Sequence, residues 1–344
     1  MRSCSLLYTA LLLSAGLFFL NACKWKNRNN KHTEQSVTTG AYISKKNLSA
    51  VKLGYCSPSL NAPYYMALAQ SIQKNTESYG MQFLSADGQD DIAKQITAVE
   101  DLVASGVQVL ILNPLDPKAL VPAVNAAVNA GIPVFIIDSN IDPEARYTSC
   151  VQANNDGNGA LIGAWMAKQM GNKEIEAAII SGKQGNPVGK LKRMGFVEGF
   201  TDAQLTDRGS SNLKIVAHGW GNWTNNGGVK AMEDILVAHP NINLLFAEND
   251  AMAMGALKVI TEAGKADKIL VAGVDGQKEA DALIQEGKMG ATALNSPSVM
   301  ASILLETIVK YLNNEKDISR IIYTPAIVIT KNNVSSYYDA KSVF

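Results

Sequence analysis

The chain has 344 residues, 47% of them hydrophobic, with 31 basic against 31 acidic side chains, 7% aromatics and four cysteines. That length fits about two domains with enough apolar material to bury real cores. A formal charge of zero argues against a polyanion-wrapping protein, four cysteines exclude a disulfide-stapled scaffold, and 18% charge with few prolines excludes a mostly disordered chain.

The zero is a sum over unlike parts. Up to residue 50, seven basic residues face Glu34 alone, an excess of six, and the rest of the chain carries the compensating negative charge. Arg2 precedes an apolar run from Leu6 to Leu20, which ends at Asn21-Ala22-Cys23. The run has the length of a secretory signal core and falls short of the roughly 20 residues of a membrane span. Leu20-Asn21-Ala22-Cys23 resembles a bacterial lipobox, where a leucine three residues before a cysteine and a small residue just before it direct lipidation and cleavage. The expectation is a lipoprotein signal peptide over 1–22, an acylated Cys23, and a polar, basic tether over 23–50. Coil statistics give such a tether a reach on the order of 30 Å. The body is then exported and held at a membrane surface by its lipid, with no spanning helix.

From Val51 onward, β-branched runs alternate with amphipathic stretches. Val51–Tyr55 reads as a strand, Tyr64–Tyr79 as a helix and Met81–Ser85 as a strand. Ile92, Ile96, Val99, Leu102 and Val103 recur at helical spacing until Ser105-Gly106. Val107–Leu112 is continuously apolar, as in a strand buried on both faces of a parallel sheet. A helix over Ala119–Ala130 and a strand over Pro133–Ile137 complete the first set. The second set places helices near Asn158–Met170, Pro187–Phe200, Asn225–Ala238 and Ala251–Ala263. Its strands lie near Ile175–Ile180, Leu213–Ala217, Leu244–Ala247 and Ile269–Ala272. Two such sets predict two similar doubly wound parallel-sheet α/β lobes.

In open parallel sheets the ligand crevice lies beyond the carboxyl ends of the strands. The polar residues there are rich in Asp and Asn, with Tyr64, Tyr65, Trp220 and Trp223 interleaved. Carboxylates and amides grip neighbouring hydroxyls, and aromatic faces cover the C–H faces of a sugar ring, so the set suits an uncharged polyhydroxylated ligand. Individually each residue has a plainer role; Asp250 and Asp87 fit turns or helix N-caps, and Pro63 a first helical position.

Ser59-Leu60-Asn61-Ala62-Pro63-Tyr64-Tyr65, Ile136-Ile137-Asp138, the run from Phe246 to Leu257 and Gly273-Val274-Asp275-Gly276 together resemble the ribose-binding branch of the type I periplasmic binding proteins, the sugar-capturing components of ABC importers. The resemblance implies a sugar or polyol held between Tyr64 and Tyr65 of one lobe and Trp223 of the other. It places Asn61, Asp138, Lys190, Asn249, Asp275 and Asn295 at ligand-binding positions, and Ser139 where ribose binders have an arginine. Ala62, Val274 and Lys190 likewise depart from an asparagine, an aromatic and an arginine, which weighs against ribose itself, since lysine lacks arginine's planar fork. It also implies a three-segment hinge near Ala153/Asn154, Asn295/Ser296 and Pro325/Ala326. One lobe is then 51–153 with 296–325, the other 154–295 with 326–344. Binding proceeds by hinge closure, with delivery to an ABC permease and its ATPase, no cofactor, no metal and a monomeric chain.

Gly182–Lys190 imitates a phosphate loop but has Gln184 and Leu191 where a P-loop needs Gly and Ser or Thr. His32, His218 and His239 show no metal-ligand spacing. Hydrolase or dehydrogenase chemistry has no nucleophile or cofactor loop, so an enzyme is not expected. Cys56 and Cys150 leave a disulfide and two buried thiols both open. A sensory module handing its closed state to a chemoreceptor or sensor kinase is the alternative reading. A transcription regulator of the same fold would need a DNA-binding helix-turn-helix before residue 51, where the apolar run and Cys23 lie, so nucleic acid is not an expected partner.

Overall fold

The computed structural model describes residues 48–344. The expected signal peptide, the Cys23 acylation site and nearly all of the tether lie outside the described residues.

The first α/β set comprises β1 (Lys52–Ser57), α1 (Pro63–Ser78), β2 (Gln82–Asp87), α2 (Ile92–Ala104), β3 (Val109–Leu112), α3 (Val121–Asn129), β4 (Val134–Ile137) and β5 (Ser149–Ala153). The second runs through α4 (Asn155–Met170), β6 (Ile175–Ser181), α5 (Pro187–Arg208), β7 (Leu213–Trp220), α6 (Asn225–Ala238), β8 (Leu244–Ala247), α7 (Asp250–Glu262), β9 (Leu270–Ala272), α8 (Lys278–Gln285) and β10 (Ala291–Ala293). The chain then adds α9 (Pro297–Leu312), β11 (Ile321–Thr324) and β12 (Val328–Thr330). Two six-stranded sheets result, in the orders β11-β5-β4-β3-β1-β2 and β12-β10-β9-β8-β6-β7. All neighbours are parallel except the β10–β12 pair. In each sheet the strand order reverses once, between β1 and β3 and between β6 and β8, which is where a doubly wound sheet opens a ligand crevice.

The chain passes between the sheets three times: from β5 into α4, from β10 into α9, and from β11 to β12. The central strands are buried on both faces, as their unbroken apolar runs require; β3, β4 and β8 are buried along their whole length. β5 and β10 escape the sequence reading because Ser149–Ala153 and Ala291–Ala293 lack a distinctive run of large apolar residues.

The pairing of α4 with α5 sets the second lobe's geometry. A Cβ at Gly159 would lie 2.1 Å from the Lys192 carbonyl oxygen, and one at Gly195 2.1 Å from that of Asp156, so the two backbones touch. That contact fixes the rotation of α5 about its axis. Phe196 stacks on Phe246 at 4.5 Å beneath it.

Candidate functional site

The first lobe supplies the N-terminus of α1 and the turn after β4. Pro63 opens α1 as expected, its missing N–H costing nothing where no intrahelical partner exists, and Tyr64 and Tyr65 follow on the first turn. Their rings meet edge to face with centroids 5.9 Å apart. Asp138 follows β4 with a left-handed backbone, φ 64°, and is 8% exposed. Asn113, at the end of β3, donates from Nδ2 to Asp138 Oδ2 at 3.0 Å and accepts from the Ser139 N–H at 3.3 Å, so one amide orients both residues. Burial pushes the Asp138 carboxyl pKa up; the Asn113 hydrogen bond and the nearby Lys192 charge oppose that rise.

The second lobe answers with Trp223, Asn249 and Asp275. Trp223 also has φ 64°, and its indole lies against Gly182, where a Cβ would sit 2.0 Å from the ring. Asn249 caps α7: its Oδ1 accepts from the Met252 N–H at 2.9 Å, while Nδ2 donates to the Trp223 carbonyl at 3.1 Å. Asn249, not Asp250, is therefore the cap. Asp250 is the first helical residue, fully buried, and accepts from the Gln277 N–H at 2.9 Å and from Thr292 Oγ1 at 2.7 Å.

Asp275, with φ 137°, receives Lys192 Nζ and Asn295 Nδ2, each at 3.2 Å. Burial raises its pKa, and the Lys192 ammonium pulls it back. Asn295, at the β10–α9 passage, accepts from the Tyr64 hydroxyl at 3.1 Å, which ties the first lobe to this network. Burial holds the Tyr64 hydroxyl well above the usual phenol range, reinforced by Asp138 and Asp275.

A polar cluster underlies the second-lobe wall. Glu248, 1% exposed, accepts from Ser181 Oγ at 2.7 Å, from the Gly182 N–H at 2.8 Å and from Arg193. His218 Nε2 lies 2.7 Å from Ser181 Oγ, so this histidine is a satisfied structural side chain. The cluster holds the loop after β6, and with it Gly182 under the Trp223 indole. The phosphate-loop imitation is this loop and the start of α5, capped by Asn186, whose Oδ1 accepts from the Gly189 N–H at 3.1 Å.

One cavity brings together Tyr64, Tyr65, Asp138, Ser139, Trp223, Asn249, Asp275 and Asn295. Two expected residues lie outside it. Asn61 is exposed in a neighbouring groove at the rim, where Lys183 Nζ of the second lobe reaches Asp90 Oδ1 of the first at 3.1 Å. Lys190 is exposed on α5, and the correction is Lys192: two residues turn a helix by about 200°, so Lys192 faces inward where Lys190 faces out. Lys192 is 2% exposed, donates to the Glu248 carbonyl at 3.0 Å and lies 5.5 Å from the Trp223 ring centroid. Its sequence signal was a lysine in phase with Gly189 and Phe196 on the buried face. Gln277 and Phe344 also line the cavity. Val274, which the resemblance sets at an aromatic wall position, is fully buried in the core.

Cys56 and Cys150 are free buried thiols, each pushed up to about 12 by burial. Among the described residues, no cluster of His, Cys, Asp or Glu is suited to a metal ion, and no helix is long and apolar enough to cross a membrane.

The periplasmic binding protein domain matches residues 53–316. The ribose import binding protein RbsB of Bacillus subtilis strain 168 is 30% identical over 312 residues, covering 89% of this chain and 93% of that protein. Among solved structures, an ABC transporter solute-binding protein from Mycobacterium smegmatis with bound glycerol superposes with a TM-score of 0.77 at 31% identity, covering 85% of this chain and 98% of that one. A periplasmic solute-binding protein from Actinobacillus succinogenes 130z with bound D-allose gives a TM-score of 0.77 at 27% identity, covering 83% and 100%.

Proposed function

Because the chain belongs to the periplasmic binding protein domain family, in its ribose-binding branch, and is a solute-binding protein rather than an enzyme, we propose that it captures an uncharged sugar or polyol between its two lobes and delivers it to an ABC import permease. The observation that carries this reading is the pairing of Tyr64 and Tyr65 with Trp223 across a cavity whose polar groups include Asp138, Asn249, Asp275 and Asn295, with Lys192 as its cation. Aromatic faces cover ring C–H groups while carboxylates accept from hydroxyls. The relatives with bound D-allose and glycerol support that ligand class.

The proposal extends to the rest of the chain. Residues 51–153 with 296–325 form one closing lobe and 154–295 with 326–344 the other. Residues 1–22 are removed, Cys23 is acylated, and 23–50 tether a monomeric body to the membrane beside its permease and ATPase. The charge asymmetry and the Leu20–Cys23 run support that part.

A thermal-shift panel of pentoses, hexoses, inositols and related polyols tests the ligand class. A solute at a thousand times its Kd stabilises the folded state by about 4 kcal/mol, which raises Tm by roughly 8–16 °C. Asp138→Ala abolishes the shift with the ligand-free Tm within a few degrees of wild type. A panel that moves Tm only with amino acids or nucleosides overturns the sugar reading.

A further inference from the structure

After β12 the chain makes a short turn at Val334–Ser336 and joins the second lobe's core. Val334 is 2% exposed, and Tyr337 and Tyr338 pack on the same cluster as α6, α7 and α8. The next residues form a tight loop: the Lys341 N–H donates to Asp339 Oδ1 at 2.9 Å and the Ser342 N–H to the Asp339 carbonyl at 3.0 Å. Lys278 Nζ, from the first residue of α8, donates to the Ser342 carbonyl at 2.6 Å. This second-lobe segment then reaches the other lobe. The Phe344 ring meets Tyr64 edge to face, with centroids 5.5 Å apart and planes at 82°. Phe344 also lines the cavity that holds Asp138, Trp223 and Asp275.

We propose that Asp339–Phe344 is a strap carried by the second lobe, and that Phe344 is a ligand-enclosing, specificity-determining residue of the solute site. Docked against Tyr64, the ring closes one side of the cavity across the lobe boundary. Two consequences follow from that position. The strap adds an aromatic contact that exists only while the lobes are together, so it slows reopening. The ring also occupies the space beside Tyr64 into which a larger solute would extend, so it limits solute size. The identity of the solute rests on the sugar reading above, whereas the Phe344–Tyr64 contact does not.

The test compares wild type with Phe344→Ala and Phe344→Tyr against monosaccharides, inositols and disaccharides by calorimetry and stopped flow. Phe344 is only half-buried, so ligand-free Tm stays within about 2 °C of wild type. Loss of one aromatic wall weakens the best wild-type ligand by about 3- to 10-fold, chiefly through faster dissociation. The alanine variant gains affinity for bulkier solutes relative to that ligand, and Phe344→Tyr restores the wild-type order. Unchanged affinity, dissociation rate and ligand order in Phe344→Ala overturn the proposal. If wild type binds an amino acid or nucleoside and no sugar, the sugar reading fails, and the strap is judged by the same comparison on that ligand. A ligand-independent arm looks for a nuclear Overhauser contact between the Phe344 and Tyr64 rings. Its absence from both the free and the loaded protein overturns the strap whatever the panel gives.

Discussion

Lys192→Met should unsettle both the fold and the cleft, because Lys192 is buried with two specific partners. Its ammonium is 3.2 Å from Asp275 Oδ1 and 3.0 Å from the Glu248 carbonyl oxygen, and it is 2% exposed. At that spacing and an effective dielectric near 20, the attraction to Asp275 is about 5 kcal/mol, much of it offset in the wild type by desolvation of both charges. Methionine fills similar volume but leaves the Asp275 carboxylate buried with Asn295 as its one remaining side-chain donor. Removing one partner of a buried pair costs about 3–5 kcal/mol. In a chain of this size that lowers Tm by roughly 6–20 °C.

The pH dependence gives the reasoning a second foothold. Burial already raises the Asp275 pKa and Lys192 opposes the rise, so the variant's carboxyl goes higher still. A folded-state pKa above the unfolded value means the folded protein binds a proton that the unfolded chain does not, and stability grows as pH falls through that window. The Lys192→Met deficit is therefore larger at pH 8 than at pH 5. Lys192→Met/Asp275→Asn, which removes the stranded charge, recovers most of the lost Tm. Scanning calorimetry at both pH values measures this. A single variant within about 1 kcal/mol of wild type at pH 8, or a double variant no better than the single, refutes the assignment of Lys192 as the Asp275 counter-charge.

Two further outcomes follow from the structure. Gly182→Ala places a methyl where the Trp223 indole lies, with a Cβ 2.0 Å from the ring, and displaces that wall; solute affinity by calorimetry falls at least about 10-fold, and wild-type affinity would remove Trp223 from the site. Asp281, 2% exposed with Oδ1 unpaired, has its carboxyl pushed up to about 7 by burial, so it favours the fold below that pH and loses this contribution as pH rises from about 4 to 7. Asp281→Asn should then flatten the fall in Tm between pH 5 and 8 and be the more stable form at pH 8, and an unchanged pH profile contradicts the assignment.

The two-lobed α/β architecture was legible because its signals are local. Apolar runs such as Val109–Leu112 and Leu244–Ala247 read as buried parallel strands, and helical spacing fills the intervals. Most of the cleft was legible too, because a strand's carboxyl end is a position along the chain as well as in space. What escaped depends on rotation, strain or distance. Lys190 and Lys192 are near neighbours in sequence, yet the phase of α5 decides which is buried, and that phase is set by its backbone contact with α4 at Gly159 and Gly195. Asp138, Trp223 and Asp275 all adopt positive φ, a state that aspartate tolerates in the left-handed region but that the tryptophan, and the φ of 137° at Asp275, give no sign of in their residue types. Phe344 meets Tyr64 from the opposite end of the chain, and no periodicity links them.

If the two lobes close on a solute as proposed, the charges around the cavity favour a neutral, hydroxyl-rich one. Asp138 and Asp275 both line the cavity, and Lys192 is its single lining cation among the described residues; Arg193 is engaged with Glu248 outside it. An anionic group entering here meets two carboxyls and an ammonium already paired with one of them, and a like charge at 4 Å costs about 4 kcal/mol at an effective dielectric of 20. Under that mechanism, closure without a solute would strip water from the Asp138 and Asp275 carboxylates, whose pKa values burial already raises. Hydroxyl donors replace that lost water without adding charge, and the rings of Tyr64, Tyr65 and Trp223 cover the remaining apolar faces. On the proposed hinge-closure mechanism, the solute would offset that penalty, and this differential interaction with the closed state is what would let binding drive closure.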